Sequence, residues 1–215
     1  MSKQKSIKIG ISMRIINAIN YDEKRDALSH DWIIFFEKLK ITPILIPNYL
    51  KNPKIFLDNV GIDGIILSGG DNLGDFPKRD ETEFNLIKYG VSSKIPILGV
   101  CRGMQVINHF YGGKIIKNNS NTHSKKSHKI NLNKIISNSF PNQIEVNSFH
   151  NNIILEKNIG DQLEIFATSF DGTIEGFINK KLCILGVMWH PERDPNNHNQ
   201  QFLKNTFINK NFWKV

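Results

Sequence analysis

A cysteine stands between two glycines in Gly99-Val100-Cys101-Arg102-Gly103-Met104-Gln105, directly after the apolar run Ile95-Pro96-Ile97-Leu98 and ahead of a helix-like stretch from Val106 to Tyr111. That order puts Cys101 on a strand-to-helix turn, where flanking glycines permit strained backbone angles and close approach of a substrate. The motif G-x-S-x-G raises a serine above an α/β sheet by the same geometry. A helix N-terminus beneath the sulfur also favours thiolate, the reactive form of cysteine. An isolated cysteine is more often a buried, inert side chain; the glycines argue for a nucleophile instead.

A nucleophilic thiol needs a base. The apolar run Ile184-Leu185-Gly186-Val187-Met188-Trp189 reads as a buried strand that leads straight into His190-Pro191-Glu192. In extended backbone, residues two apart project to one side, so His190 and Glu192 lie side by side while Pro191 holds the segment extended. A carboxylate fixes the tautomer and orientation of an imidazole, which then deprotonates the thiol. A His-x-Glu pair alone is as well read as a surface ion pair or half of a metal site. Beside Gly-x-Cys-x-Gly it implies a cysteine hydrolase with residues in the order Cys, His, Glu.

These segments, with Leu67-Ser68-Gly69-Gly70, resemble the class I glutamine amidotransferase superfamily. Cys101-Arg102-Gly103-Met104-Gln105, Asn147-Ser148-Phe149-His150 and Asp171-Gly172-Thr173-Ile174-Glu175-Gly176 are similar to its γ-glutamyl hydrolase branch, which includes the γ-glutamyl-γ-aminobutyrate hydrolases. The resemblance runs from Ile7 to about Arg193. It implies Cys101 as nucleophile with His190 and Glu192 completing the triad, and an oxyanion hole made by the backbone amides of Gly70 and Arg102. It further implies that Gly69, Gln105 and the segment Asn147, Ser148, Phe149 and His150 hold the glutamyl end of a substrate. No metal or organic cofactor is required. Met188 departs from the pattern, standing where many relatives carry Gln, outside the triad.

Three activities remain open. The leading one is hydrolysis of a γ-glutamyl amide to release glutamate. The alternatives are a γ-glutamyl-γ-aminobutyrate hydrolase of polyamine breakdown, and a glutaminase subunit passing ammonia to a synthase partner. For the amine half, Arg14, Tyr21, Arg25 and Asp26 lie in a long polar stretch after the first strand, read as a loop. Loops of that length are often functional, although a solvated loop with helix-capping charge explains it equally well. Guanidinium forks at Arg14 and Arg25 would suit an anionic or phosphate-bearing leaving group. The run Arg25-Asp26-Ala27-Leu28-Ser29, with Trp32 and Pro47-Asn48, is similar to relatives linked to nucleotidyl and capsule-sugar modification, γ-glutamyl-CDP-amidate hydrolase among them. Asp71 either binds substrate or caps the turn after Gly70.

Composition narrows the class. A chain of 215 residues fits one α/β domain spanning 1–215, and it contains no repeat and no linker rich in Gly, Ser or Pro. No apolar run is long enough to cross a bilayer, and Lys8 interrupts the apolar stretch after the charged N-terminus, which is unlike a signal peptide. A cytoplasmic location is expected. Only two cysteines occur, and Cys183, inside a strand-like run, reads as a buried inert thiol of a reducing compartment. The net charge of +8 comes from scattered lysines with no basic, aromatic-interleaved face, so nucleic acid is not an expected partner. Such a field instead steers a small anion. The densest patch, His123-Ser124-Lys125-Lys126-Ser127-His128-Lys129, reads as a solvated loop, and neither its histidines nor His109 and His198 have metal-ligand spacing.

The positioning elements alternate. Lys8–Ser12 reads as a strand, Ser29–Leu39 as a helix with Trp32, Phe35, Phe36 and Leu39 on one face, Ile41–Ile46 and Gly64–Leu67 as strands, and Glu81–Tyr89 as a helix. The pattern predicts an open, mostly parallel sheet flanked by helices, of the class I glutamine amidotransferase, flavodoxin-like type that the resemblance implies. From Ile115 onward, Lys129–Leu132, Ile153–Leu155 and Leu163–Ala167 read as short strands of an antiparallel addition. All three reactive segments then fall at carboxyl ends of strands, where open α/β sheets place ligands.

Overall fold

The structure, a computed structural model, describes residues 6–117, 124–137 and 140–214. Along the chain, β1 (Ile7–Ser12) is followed by β2 (Arg14–Asn17), β3 (Lys24–Ala27), α1 (His30–Leu39), β4 (Ile41–Ile46), α2 (Pro53–Val60), β5 (Gly64–Leu67), α3 (Pro77–Ser93), β6 (Ile97–Val100) and α4 (Arg102–Phe110). The second half adds β7 (Ile116–Lys117), β8 (Ser124–Leu132), the single turn α5 (Lys134–Ser137), β9 (Gln143–Phe149), β10 (Asn152–Ile153), β11 (Glu164–Ser169), β12 (Ile174–Asn179), β13 (Ile184–Val187) and α6 (Asn197–Leu203). Among the described residues, nine strands form one sheet in the order β4-β1-β5-β6-β13-β12-β11-β8-β9. It is parallel from β4 to β13 and antiparallel from there to β9.

The strands at its centre are apolar at every position because both faces are covered. Alternate side chains serve opposite cores. Ile66, Leu98, Val100, Leu185 and Val187 meet Trp32, Phe35, Phe36 and Leu39 of α1 and Phe202 of α6. Ile65, Leu67, Ile97 and Ile184 meet Leu57 of α2, Leu86 and Ile87 of α3, and Met104 and Ile107 of α4. The 3.6-residue spacing in α1 thus buries one face. Ser29 caps that helix by accepting from the Asp31 amide, and Lys40 ends it in the left-handed conformation.

Four expectations need correction. The polar stretch after β1 is a hairpin: Arg14 pairs with Ala27 and Ile16 with Arg25. Its charges hide an alternation in which only Ile15 faces the interior, at 3% exposure. Asp26 fastens it, accepting from the Asn48 amide at 3.0 Å and from its side chain, which also donates to the Met13 carbonyl at 2.9 Å. The basic patch is the first part of β8, paired with β9; a solvent-facing strand carries lysines as readily as a loop does. His123 lies outside the described residues. Cys183 sits in the turn before β13 with φ 55° and is half-buried, where burial pushes its thiol up. The expected strand at Ile153–Leu155 is reduced to the pairing of β10 with β7. No helix among the described residues is long and apolar enough to cross a membrane.

Candidate active site

Cys101 is the hinge between β6 and α4. Its amide donates to the Val187 carbonyl at 2.8 Å, keeping it in register with β13. Its backbone then turns to φ 51°, ψ −105°, a conformation that costs a residue with a side chain of order 1–3 kcal/mol. The strain therefore falls on the cysteine and not on its glycine neighbours. Those glycines supply closeness: a Cβ on Gly103 would lie 2.0 Å from the Leu67 carbonyl oxygen, so the first turn of α4 rests against the end of β5. The Arg102 amide is the first of α4, with no acceptor inside the helix.

His190 is the third residue past β13, and its Nδ1 lies 2.7 Å from Glu192 Oε1. The two side chains are adjacent as the spacing predicts, but through a turn: the Arg193 amide donates to the His190 carbonyl at 3.2 Å. Proline presets φ for such a turn. Asn147 grips the His190 backbone on both sides, accepting from its amide at 2.9 Å and donating to its carbonyl at 2.8 Å. Burial pushes the Cys101 thiol up, yet its hydrogen bond to His190 and the neighbouring imidazole charges outweigh burial and hold it below the ordinary thiol range. Burial disfavours the His190 imidazolium, but the hydrogen bonds to Cys101 and Glu192 raise it to about 9. Both shifts favour a thiolate–imidazolium pair.

The Ser68–Gly70 turn is set from behind by a buried arginine. Arg79, fully buried, donates to the carbonyls of Ser68 at 2.9 Å, Gly69 at 3.0 Å and Gly70 at 2.9 Å. In a trans peptide the N–H points opposite to the C=O. Carbonyls drawn toward Arg79 therefore aim the Gly69, Gly70 and Asp71 amides the other way. Arg79 also pairs with Glu83 and Asp71, and Arg102 with Glu83 and Asp80. Gly70 has φ +87°, and a Cβ there would lie 3.0 Å from the Arg14 guanidinium carbon. Asp71 is thus neither free nor a simple cap, bridging Arg79 and Arg14 at 2.9 Å each.

Two cavities meet at Gly70, His190 and Arg193. One, of about 250 Å³, contains Cys101, Arg102, Gln105, Phe149 and His150. The other, of about 290 Å³, is walled by Arg14, Ile16 and Ala27 of the hairpin, by Ser29 and Trp32, and by Gly69 and Glu192. Of the residues expected at the glutamyl end, Gln105, Phe149 and His150 line the first cavity with Gly70 and Arg102. Gln105 accepts from Asn152 at 3.2 Å, and its amide lies 3.7 Å from the Met188 sulfur. Asn147 is committed to His190, and Ser148 is buried outside both cavities. Gly69 lies against the imidazole, where a Cβ would be 2.7 Å from His190 Cε1.

The two arginines separate. Arg14 is in the second cavity, whereas Arg25 points along the exposed hairpin to Glu23 at 2.5 Å. Arg193 takes the place expected of Arg25: it lines both cavities, with its guanidinium 4.3 Å above the Phe149 ring. Its position one residue past Glu192 could have suggested it. Nothing in the sequence marks Arg79, and the motif Asp171–Gly176 gave no role to the buried Glu175, which faces His150 at 3.6 Å and His128 at 3.5 Å.

A family model, Glutamine amidotransferase class-I, matches residues 25–210. The chain is 34% identical over 212 residues to the gamma-glutamyl-CDP-amidate hydrolase of Campylobacter jejuni, covering 93% of this chain and 96% of that protein. It is 39% identical over 166 residues to anthranilate synthase component 2 of Cyanophora paradoxa, covering 74% and 83%. A glutamine amidotransferase from Thermotoga maritima has the same fold, with a TM-score of 0.64 at 17% identity over 97% of this chain and 89% of that one.

Proposed function

The chain belongs to the class-I glutamine amidotransferase family, and from that premise we propose that it is a cysteine-dependent hydrolase of a γ-glutamyl amide whose amine half is anionic. The Cys101 thiolate attacks the γ-carbonyl carbon, and the amides of Gly70 and Arg102 receive the developing oxyanion. The imidazolium of His190 gives its proton to the departing nitrogen, breaking the C–N bond and leaving a thioester. Neutral His190 then takes a proton from water, the hydroxide attacks the thioester, and glutamate leaves as the thiolate and imidazolium are restored. Glu192 keeps the imidazole oriented throughout.

The observation that carries this reading is the second cavity. Ammonia, the leaving group of glutamine itself, needs no chamber of about 290 Å³. Arg14 and Arg193 at its borders favour phosphate or carboxylate oxygens, and the net charge of +8 points the same way. Match over nearly the full length of both chains to the gamma-glutamyl-CDP-amidate hydrolase supports a nucleotide-linked phosphoramidate as leaving half. The match to anthranilate synthase component 2 favours a second reading, a glutaminase subunit completed by a synthase partner.

Glutamate release by the purified protein from a panel of γ-glutamyl amides separates the two. The hydrolase reading expects turnover of an anionic or nucleotide-linked amide well above that of glutamine, and none with Cys101→Ala, a loss of about 10⁴-fold or more. Silence on every amide until a synthase is added favours the glutaminase reading.

A further inference from the structure

Glu175 is fully buried on β12 and faces His150, which lines the cavity that holds Cys101. A carboxylate at that depth is sustained only by cations or several donors. It faces two imidazoles, His150 Nε2 at 3.6 Å and His128 Nε2 at 3.5 Å. His150, itself 5% exposed, reaches the cavity, and its Nδ1 lies 2.9 Å from the Asn152 carbonyl oxygen. Both ring nitrogens therefore face acceptors. Nδ1 must donate to the Asn152 carbonyl, and a second proton on Nε2 would stand at ion-pair distance from a buried carboxylate, so the surroundings of this ring favour its charged form. Neither nitrogen is left to take part in proton transfer.

We propose that Glu175 is a positioning residue that acts through His150, holding a fixed positive charge beside the Cys101 sulfur. This rests on Cys101 being the nucleophile. The mobile charge of the site is that of His190, which loses its proton to the leaving group and is then neutral. His150 keeps its charge through that step, so the sulfur, as thiolate before attack and as leaving group from the thioester, always faces one cation. The groups packed around the pair agree. Around His150 are Glu175, Cys101 and the Asn152 carbonyl; burial lowers its pKa, but these raise it above the ordinary histidine value overall. Around Glu175 are His128 and His150, which outweigh burial and hold its carboxyl below the ordinary range. Around Cys101 are His190, His150 and, opposing them, Glu192.

The test is the pH profile of Cys101 alkylation by iodoacetamide, read by mass spectrometry on the Cys101 peptide, so that no substrate is needed and a wrong substrate assignment leaves the result intact. Native protein, Glu175→Gln and His150→Gln are compared, with circular dichroism to confirm the fold. Loss of one nearby cation raises a thiol pKa by about one unit, so the alkylation profile of each variant moves about one pH unit to the alkaline side, falling about five- to tenfold on its acid limb and converging with native near pH 10. The double variant falls no further, since both changes remove the same charge. A profile unmoved in a folded variant overturns the proposal, as does a lower melting temperature with an unmoved profile, which is the signature of a purely structural role. Should Glu175→Gln fail to fold, His150→Gln, which leaves Glu175 with His128, decides alone by the same criterion.

Discussion

The Ser68–Gly70 turn and the β2–β3 hairpin both border the cavity beside His190, and they are held by opposite means. The turn is tied from behind by Arg79, whose guanidinium serves three consecutive carbonyls and is locked by Glu83 with no exposure at either side chain. Among the described residues the hairpin forms a two-stranded sheet of its own, carries Ile19 at 99% and Tyr21 at 70% exposure, and is fastened at its base by Asp26 on Asn48. Groups that meet the reacting carbonyl must not move, since an ångström of misplacement weakens a preorganised donor. Groups that read the rest of a substrate tolerate, and benefit from, an exposed element that can change without loss of the core.

Substitutions on either side break or sharpen this contrast. The largest effect is expected from Arg79→Met, which frees three carbonyls and leaves Glu83 to Arg102 and the Ser12 hydroxyl. The Gly70 amide then loses its orientation, and kcat should fall about 10²- to 10³-fold with little change in KM. Removing one partner of a buried pair should also lower stability by about 3–5 kcal/mol in urea denaturation. Equal loss in KM and kcat would mean that the turn does not serve the transition state.

Arg14→Ala and Arg193→Ala come next. Each should lower kcat/KM on the best anionic amide about 10- to 150-fold, the worth of a charge-assisted hydrogen bond of about 1.5–3 kcal/mol. On glutamine Arg14→Ala should stay near native, because no leaving half reaches that side chain, whereas Arg193, which also lines the Cys101 cavity, should lose activity on both substrates. An equal loss on both substrates with Arg14→Ala would place that arginine in the machinery of the reaction and erase the contrast. The smallest effect is expected from Arg25→Ala, whose guanidinium is spent on Glu23 in solvent. Its kcat/KM should stay within about twofold of native, as exposed ion pairs contribute about 0–1 kcal/mol. A tenfold loss would show that the hairpin folds down over the substrate.

The sequence by itself determined the strands β1, β4 and β5 and the helix α1, because an element buried on one or both faces writes its period into its apolar residues. It also marked the residues of the proposed triad. Gly-x-Cys-x-Gly and His190-Pro191-Glu192 are local patterns, and the chemistry of a strand-to-helix turn and of neighbouring side chains needs no long-range contact to be read. Only the tertiary structure decided what lies across the site. Arg79 sits on a helix among polar residues and looks like any surface charge until the sheet brings Ser68–Gly70 over it. Glu175 and His128 stand 47 positions apart on β12 and β8, neighbours only because β11 pairs with both strands. Asn147, which the resemblance gave to substrate, is drawn to His190 by the return of β13 beside β6. A side chain's type states which bonds it can make, but its partner is set by the crossing of distant segments, and charged residues carry no periodicity that announces the crossing.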